Sequence, residues 1–289
     1  MERTGLRHVP PGTYENVKNS TYHTWDAVSS SQLKALRRSK YDLQKLWLSS
    51  GNRQSGDMLV GELTHDMVLL PDIVKDRYIV APESFKSANS KKLDVWKADA
   101  KRDHPLAVVV TQAQWDIATG VLAAVRKHPV ANKLLIAGAG KSELSVVVKD
   151  PRSGLLLRAR FDRLQRDSIN DLKTAKDASP RGFMRAAYWD YHYDVQAVHY
   201  LYVAKLAYGG LRDFKMVAVE KGTTLATSSF DVGVYSFPTK WLRTLEAGYA
   251  GMLEEYAEVL AAPQMAGYTN DVETLPPPYK DNSITVGSK

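Results

Sequence analysis

An α/β fold with a helical N-terminal part is what this sequence predicts, and three observations predict it. Apolar residues recur at helical spacing through the first half of the chain. Between residues 141 and 174 the period switches to that of three successive β-strands. A long helical stretch then separates those strands from two more, and a final amphipathic helix follows.

The elements follow in order. Residues 1–27 are polar and interrupted by Pro10, Pro11 and Gly12, so they read as an irregular lead-in. Ser29, Ser30 and Ser31 precede Leu33, Leu36, Leu43, Leu46 and Trp47, which predicts one or two serine-capped short helices. In GDMLVGELTHDMVLLP (56–71), Leu59, Leu63, Met67 and Leu70 lie three or four residues apart and Pro71 stops the helix. DRYIVAP (76–82) reads as a strand and 89–103 as a charged helix or loop. Thr111 caps a helix that ends near the His128–Pro129 step.

KSELSVVVKD (141–150), GLLLRARFDRL (154–164) and SINDLKT (168–174) alternate or are β-branched, with turns between them. Ser179–Pro180 pairs a cap with a first-turn proline, opening one helix or two that run to Gly209–Gly210. FKMVAVEK (214–221) and SFDVGVYSF (229–237) are strands, and Thr239 opens a helix through about Ala262. The expected organisation is one domain over 28–262, with an irregular tail over 263–289 that carries three consecutive prolines.

Composition narrows the function. The chain of 289 residues has no cysteine, which excludes a disulfide scaffold, a thiolate zinc site and a cysteine-ligated iron–sulfur cluster. No apolar run reaches the length of a membrane span and the N-terminus has no apolar leader, so a cytoplasmic protein is expected. The net charge of +7 points toward a polyanionic partner, as it also would in any soluble basic protein. No phosphate-binding glycine loop is present, so nothing suggests an ATP-driven motor.

Two strands carry the chemistry. Side chains two apart on a strand share a face, so Ile169, Asp171 and Lys173 project together and Leu172 goes the other way. On the preceding strand Leu155, Leu157, Ala159 and Phe161 form the buried face, while Arg158, Arg160 and Asp162 form the other. A hairpin through 165–167 brings Asp162 toward Asp171. Two close carboxylates repel unless a cation lies between them, and a hard ion such as Mg²⁺ or Mn²⁺ suits such a pair. Taken alone, the three residues equally describe a salt-bridge ladder on a solvated sheet face.

Read with its neighbours, the pattern Asp162, eight residues, Asp171-Leu172-Lys173 resembles the PD-(D/E)XK nuclease superfamily. Upstream, Gly61-Glu62-Leu63-Thr64-His65 is similar to the G-x-x-x-H helix of the RecB-type and RecE-type exonuclease branch. Downstream, Gln196-Ala197-Val198-His199-Tyr200 is similar to its Q-x-x-x-Y helix. The resemblance is closest to the nuclease domain of RecE, exonuclease VIII, and covers roughly residues 28–260. It implies a restriction-endonuclease-like core, a mixed central sheet flanked by helices. It also implies metal ligation by His65, Asp162, Asp171 and the Leu172 carbonyl, with two Mg²⁺ ions or Mn²⁺ in their place. Lys173 acts on the attacking water or on developing negative charge, Glu143 joins as a further ligand, and Gln196 and Tyr200 face a phosphate or the water.

Each motif also has a plainer account. His65 suits a helix–sheet contact, with Gly61 allowing close approach, and Gln196 and Tyr200 suit ordinary helix packing. Arg160 and Arg163, with Arg152, Arg158 and Arg166, either track a DNA backbone or form a solvated face. Tyr188, Trp189, Tyr191, Tyr193, Tyr200 and Tyr202 suit base stacking or, at their mixed spacing, core and interface.

The activity implied is ATP-independent 5′-to-3′ digestion of linear duplex DNA, leaving 3′ single strands for a RecT-like annealing protein. The implied assembly is a ring-like homo-oligomer such as a tetramer, in the bacterial cytoplasm and in phage or prophage recombination. Two other readings stand beside it. One is a RecB-like nuclease on single-stranded or flap DNA. The other is a DNA-binding module with an inactive core.

Overall fold

Six strands form one mixed sheet, and the helices cover both of its faces. The protein is described by a computed structural model that covers residues 6–48, 56–82, 91–222, 224–262 and the positions 267, 268, 272 and 274, the side chains of 92 and 93 excepted. In chain order come β1 (Gly12–Tyr14), α1 (Asn19–His23), α2 (Ser30–Arg38), α3 (Lys40–Leu48) and α4 (Gly56–Leu69). Next are α5 (Val74–Arg77), β2 (Tyr78–Val80), α6 (Lys91–Asp103), β3 (Val108–Val110), α7 (Gln112–Lys127) and α8 (Pro129–Asn132). Then follow β4 (Lys141–Lys149), β5 (Leu156–Leu164), β6 (Ser168–Ala175), α9 (Pro180–Arg185) and α10 (Tyr193–Tyr208). The order closes with β7 (Asp213–Glu220), β8 (Val232–Ser236) and α11 (Thr239–Ala261). A π-helical turn, Lys133–Ala137, follows α8, and another, Ala186–Asp190, lies between α9 and α10.

The sheet order is β1-β4-β5-β6-β7-β8. Only β6 and β7 run parallel, and α9 and α10 supply the crossover that a parallel pair requires. The expected mixed sheet flanked by helices is therefore what the chain forms. Local chemistry sets its helix starts. Ser29 and Gln32 cap α2 reciprocally, Thr111 and Gln114 do the same for α7, and the Ser179 hydroxyl accepts from the Gly182 amide at α9.

Strand pleating divides the core. Leu157, Ala159, Phe161, Ile169, Phe214 and Met216 point to the face covered by α2, α3, α10 and α11. Leu172, Val217 and Val219 point to the opposite face, against Val68 and Leu69 of α4 and Val121 and Val125 of α7. A smaller cluster beneath α4 includes Tyr78 and Val110 of a separate parallel pair, β2 and β3.

The lead-in is not irregular throughout, as its sequence had suggested. β1 pairs antiparallel with the edge of β4, Gly12 opposite Val147 and Tyr14 opposite Ser145. Val9, Tyr22 and Trp25 are buried with Val147. A few apolar anchors suffice to hold a polar segment over an open strand edge, and such a cover keeps that edge from pairing with another chain. β3 is a three-residue strand that its sequence run was too short to signal. The charged stretch before it is helical from Lys91. The irregular tail expected from Pro263 lies almost wholly outside the described residues.

Trp25 meets Tyr14 and Tyr22 at ring-centroid distances of 5.1 and 5.3 Å. Trp25→Ala should therefore cost about 3–5 kcal/mol, read as a lower urea midpoint with an unchanged slope. An unchanged midpoint would make the lead-in a dispensable appendage.

Candidate metal and phosphate site

The site lies where two strands part. β5 and β6 pair only at Arg163 with Asn170 and Leu164 with Ile169, beside their turn. Beyond those two pairs the strands diverge, and the Asp162 carboxylate takes the place of a backbone partner. Its Oδ2 accepts a hydrogen bond of 2.8 Å from the Leu172 amide. By pleat parity Asp162 faces the α4 layer and Asp171 the α10 layer. The fork brings these two sides of the sheet into electrostatic contact.

On the α4 side three donors converge. His65 Nδ1 lies 3.5 Å from Asp162 Oδ2 and 3.8 Å from Glu143 Oε1. One ligand atom from each of these three residues lies within 4.8 Å of the others. Glu143 lies on β4 opposite Asp162, between the pairs Ser142–Arg163 and Leu144–Phe161. Its backbone is left-handed, with φ of 48°. A non-glycine residue held there stores about 1–3 kcal/mol of strain, a feature that concentrates at functional sites.

On the α10 side Lys173 Nζ lies 2.5 Å from Asp171 Oδ2. Gln196 donates a 2.7 Å hydrogen bond to Asp171 Oδ1. The carboxylate is thus gripped from both ends. Lys173 also lies 4.7 Å from the centre of the Tyr193 ring.

The electrostatics express crowding of like charge. Burial, and then the negative charge of Asp171, push Asp162 up to about 7 against the pull of His65. Burial alone would lower His65, but the Asp162 charge and a hydrogen bond with Glu143 raise it to about 9. Burial is the largest influence on Lys173 and opposes its charge, but Asp171, Tyr193 and Asp162 together outweigh it and hold the ammonium above its ordinary range. Protons on Asp162 and His65 do here what a divalent cation would do. An imidazole and two carboxylates converging on one point are a donor set that Mg²⁺ or Mn²⁺ accepts, so the residues fit the metal implied by the sequence.

The other expected site residues fall as follows. Leu172 buries its side chain in the α4-side core and gives its amide to Asp162. Gln196 orients Asp171, where a phosphate or water contact had been expected. The Tyr200 ring packs against Phe161 in the core, at 5.3 Å between centroids. Arg160 donates to the Ser145 hydroxyl and the Val17 carbonyl and stacks over Tyr22 at 4.3 Å, with Nε 3.9 Å from Glu143. Arg163 donates to the Ser142 hydroxyl and the Gly138 carbonyl. Both arginines, expected to track DNA, are committed to the protein's own groups. Gly61 does not serve close packing: a Cβ there would meet no heavy atom within 4 Å among the described residues. His199, between Gln196 and Tyr200 on α10, is a core histidine bonded to Tyr249 and to the Arg158 carbonyl.

The sequence reading missed what fixes α4. Arg77 pairs with Glu62 and, at 2.7 Å, with Asp66, and the Tyr78 hydroxyl donates to Asp66 at 2.7 Å. Two acids one helical turn apart, flanking His65, were the available signal, because such a pair asks for a cation. Lys34 of α2 was also missed. Burial and the nearby Lys173 draw it down to about 8.

Comparison with known proteins bears on this geometry. The model of a family described as a PDDEXK-like domain of unknown function, DUF3799, matches residues 29–275. No curated protein matches. A solved structure from Eubacterium rectale, provisionally described as an exonuclease, superposes with a TM-score of 0.55. The two are 15% identical, over 95% of this chain and 100% of that one. At that identity the likeness concerns the fold.

Two outcomes follow from the site. His65 stabilises the metal-free fold fully below its ordinary 6.5 and loses that contribution as pH rises through about 9. Asp162, with its raised value, loses its contribution between its ordinary 3.8 and about 7. Metal-free protein should therefore melt lower as pH climbs from 4 to 9. Mn²⁺ should reverse the trend, its affinity rising about tenfold per pH unit between 7 and 9 as His65 gives up its proton. Calorimetry in buffers of different ionisation enthalpy reads that proton; none released would remove His65 from the site. Separately, Gly61→Ala should stabilise α4 by up to about 1 kcal/mol in chemical denaturation, since no neighbour opposes the methyl. A destabilised variant would restore a packing role to the glycine.

Proposed function

The chain belongs to the PDDEXK-like family, and on that premise we propose that it is a metal-dependent DNA exonuclease. It digests linear duplex DNA from 5′ to 3′ without ATP and leaves 3′ single strands for a RecT-like annealing partner in phage-type recombination. It acts as a homo-oligomeric ring in the bacterial cytoplasm. One observation carries the nuclease assignment: His65, Glu143 and Asp162 converge on one side of the strand fork while Asp171 and Lys173 pair on the other. The polarity, partner and ring rest on the resemblance to RecE.

The roles follow from the contacts. His65, Glu143 and Asp162 would hold one ion, and Asp162 with Asp171 a second. A bound divalent ion supplies Lewis acidity toward a phosphate oxygen and lowers the pKa of a bound water. Lys173 remains an ammonium against Asp171, so it offsets negative charge on the phosphate and fixes the water's position; it does not accept a proton. Gln196 keeps Asp171 from rotating. Arg160 holds Glu143 at its outer edge. The absence of a phosphate-binding loop supports independence from ATP.

Linear duplexes labelled at one 5′ end or one 3′ end, incubated with Mg²⁺, test this directly. Early loss of the 5′ label, retention of the 3′ label and independence from ATP are expected. Lys173→Ala should slow digestion about 10²- to 10³-fold with the fold intact. Wild-type rates in that variant would overturn the mechanism. Preference for single strands would replace the duplex assignment with a RecB-like one, and binding without turnover in any metal would leave only a DNA-binding module.

A further inference from the structure

The segment joining α9 to α10 departs twice from regular helix. It includes the π-helical turn Ala186–Asp190, and His192 is left-handed with φ of 48°. Those two departures present aromatic rings outward. Tyr191 and Tyr193 stack with centroids 5.5 Å apart and planes 16° from parallel. Tyr193 lies over Lys173, while Tyr191 is 55% exposed and the nearby Trp189 is 63% exposed. A row of rings therefore leads from the lysine of the site out to solvent. Ordinary packing explains Tyr193, which meets Phe183 at 6.1 Å, and it does not explain an exposed ring stacked on its outer side.

Lys34 of α2 reaches the same ring. Its Nζ lies 5.4 Å from the centre of Tyr193, and among the described residues no acidic side chain stands within ion-pair distance of it, Asp171 acting on it only from farther off. The two lysines flank one tyrosine, one paired with Asp171 and one free to take an anion. An exposed π face beside a cation with no ion-pair contact is complementary to one kind of partner, a polyanion that carries flat rings.

We propose that Tyr191 and Tyr193 form the seat of an unstacked nucleotide next to the scissile phosphate, and that Lys34 holds the adjoining phosphate. The occupant is a DNA strand whose terminal base has left the duplex. This rests on the nuclease assignment above and adds to it a positioning device: the base stacks on Tyr191, which sets how far the strand advances past Lys173.

The test uses a duplex carrying 2-aminopurine at its 5′ end, with Ca²⁺ present so that binding proceeds with little cleavage. Wild type should change the probe's fluorescence by stacking. Tyr191→Ala should lose that change and raise KM for digestion in Mg²⁺ about five- to tenfold, with kcat within about twofold and an unshifted melting temperature. Tyr191→Phe should restore both readouts. Lys34→Ala should weaken binding and reduce the salt dependence by about one phosphate contact, with Lys34→Arg recovering it. Wild-type fluorescence and KM in Tyr191→Ala, with Lys173→Ala still inactive, would overturn the seat and leave the nuclease intact. A native mass that falls on Tyr191→Ala, with the probe signal unchanged, would make this face a contact between copies of the chain and overturn it as well. A wild-type protein that neither binds nor cuts DNA would remove the nuclease assignment and the seat together.

Discussion

The structure depends on a shortage of hydrogen bonds between two strands. β5 and β6 share two residue pairs and then part, and the Asp162 carboxylate takes the Leu172 amide that a continuous ladder would have used. That substitution forces a carboxylate into a buried position near another. Glu143, Asp162 and Asp171 bring three acids to one fork, and His65 and Lys173 are the cations nearest to them. Burying charges without pairing them costs several kcal/mol each, so each piece of this arrangement requires the others. A protein selected for stability alone would do better with apolar residues here. The acids therefore mark a place where function has overruled packing.

Holding such a cluster requires supports that lie outside it. α4 carries His65, the ion pairs of Arg77 with Glu62 and Asp66 fix that helix against α5, and the Tyr78 hydroxyl fixes it against β2. Glu143 is held in a strained backbone conformation, which persists only because its neighbours on β4 stay paired with β5 on both sides. Gln196 on α10 and Leu172 on β6 each hold one carboxylate in place.

Much of this was legible in the sequence. The three central strands lie within a residue or two of where alternation placed them, because one face of each had to be apolar. The pairing of Asp171 and Lys173 on one face, with Leu172 opposite, followed from the same period. Other features depend on contacts that no local pattern encodes. Where a ladder stops is set by the layers above and below it, so Asp162 as a surrogate backbone partner was out of reach. The left-handed Glu143 has no sequence signature, since glutamate rarely adopts that conformation. Arg160 and Arg163 find their acceptors far away in the sequence, Arg160 at Val17 and Ser145 and Arg163 at Gly138 and Ser142. A segment read as irregular offers no acceptors, so Arg160 was assigned to DNA when its bonds run to Val17 and Ser145.

The position of Arg160 has a mechanical consequence. Arg160 bridges the lead-in and the acidic cluster: it stacks on Tyr22, bonds to Val17 and stands beside Glu143. Tyr22 packs in turn on Trp25, and Arg158 on the neighbouring register donates to the Tyr22 and Trp25 carbonyls. Residues 17–25 are thus a brace for Glu143, the acid of the cluster that is under backbone strain. The opposite wall has its own brace, where Tyr193 and Gln196 steady Lys173 and Asp171 from α10. Each face of the sheet contributes half of the site, and each half is tied to a different layer. Geometry at the fork therefore reports the fit of the two layers to one sheet.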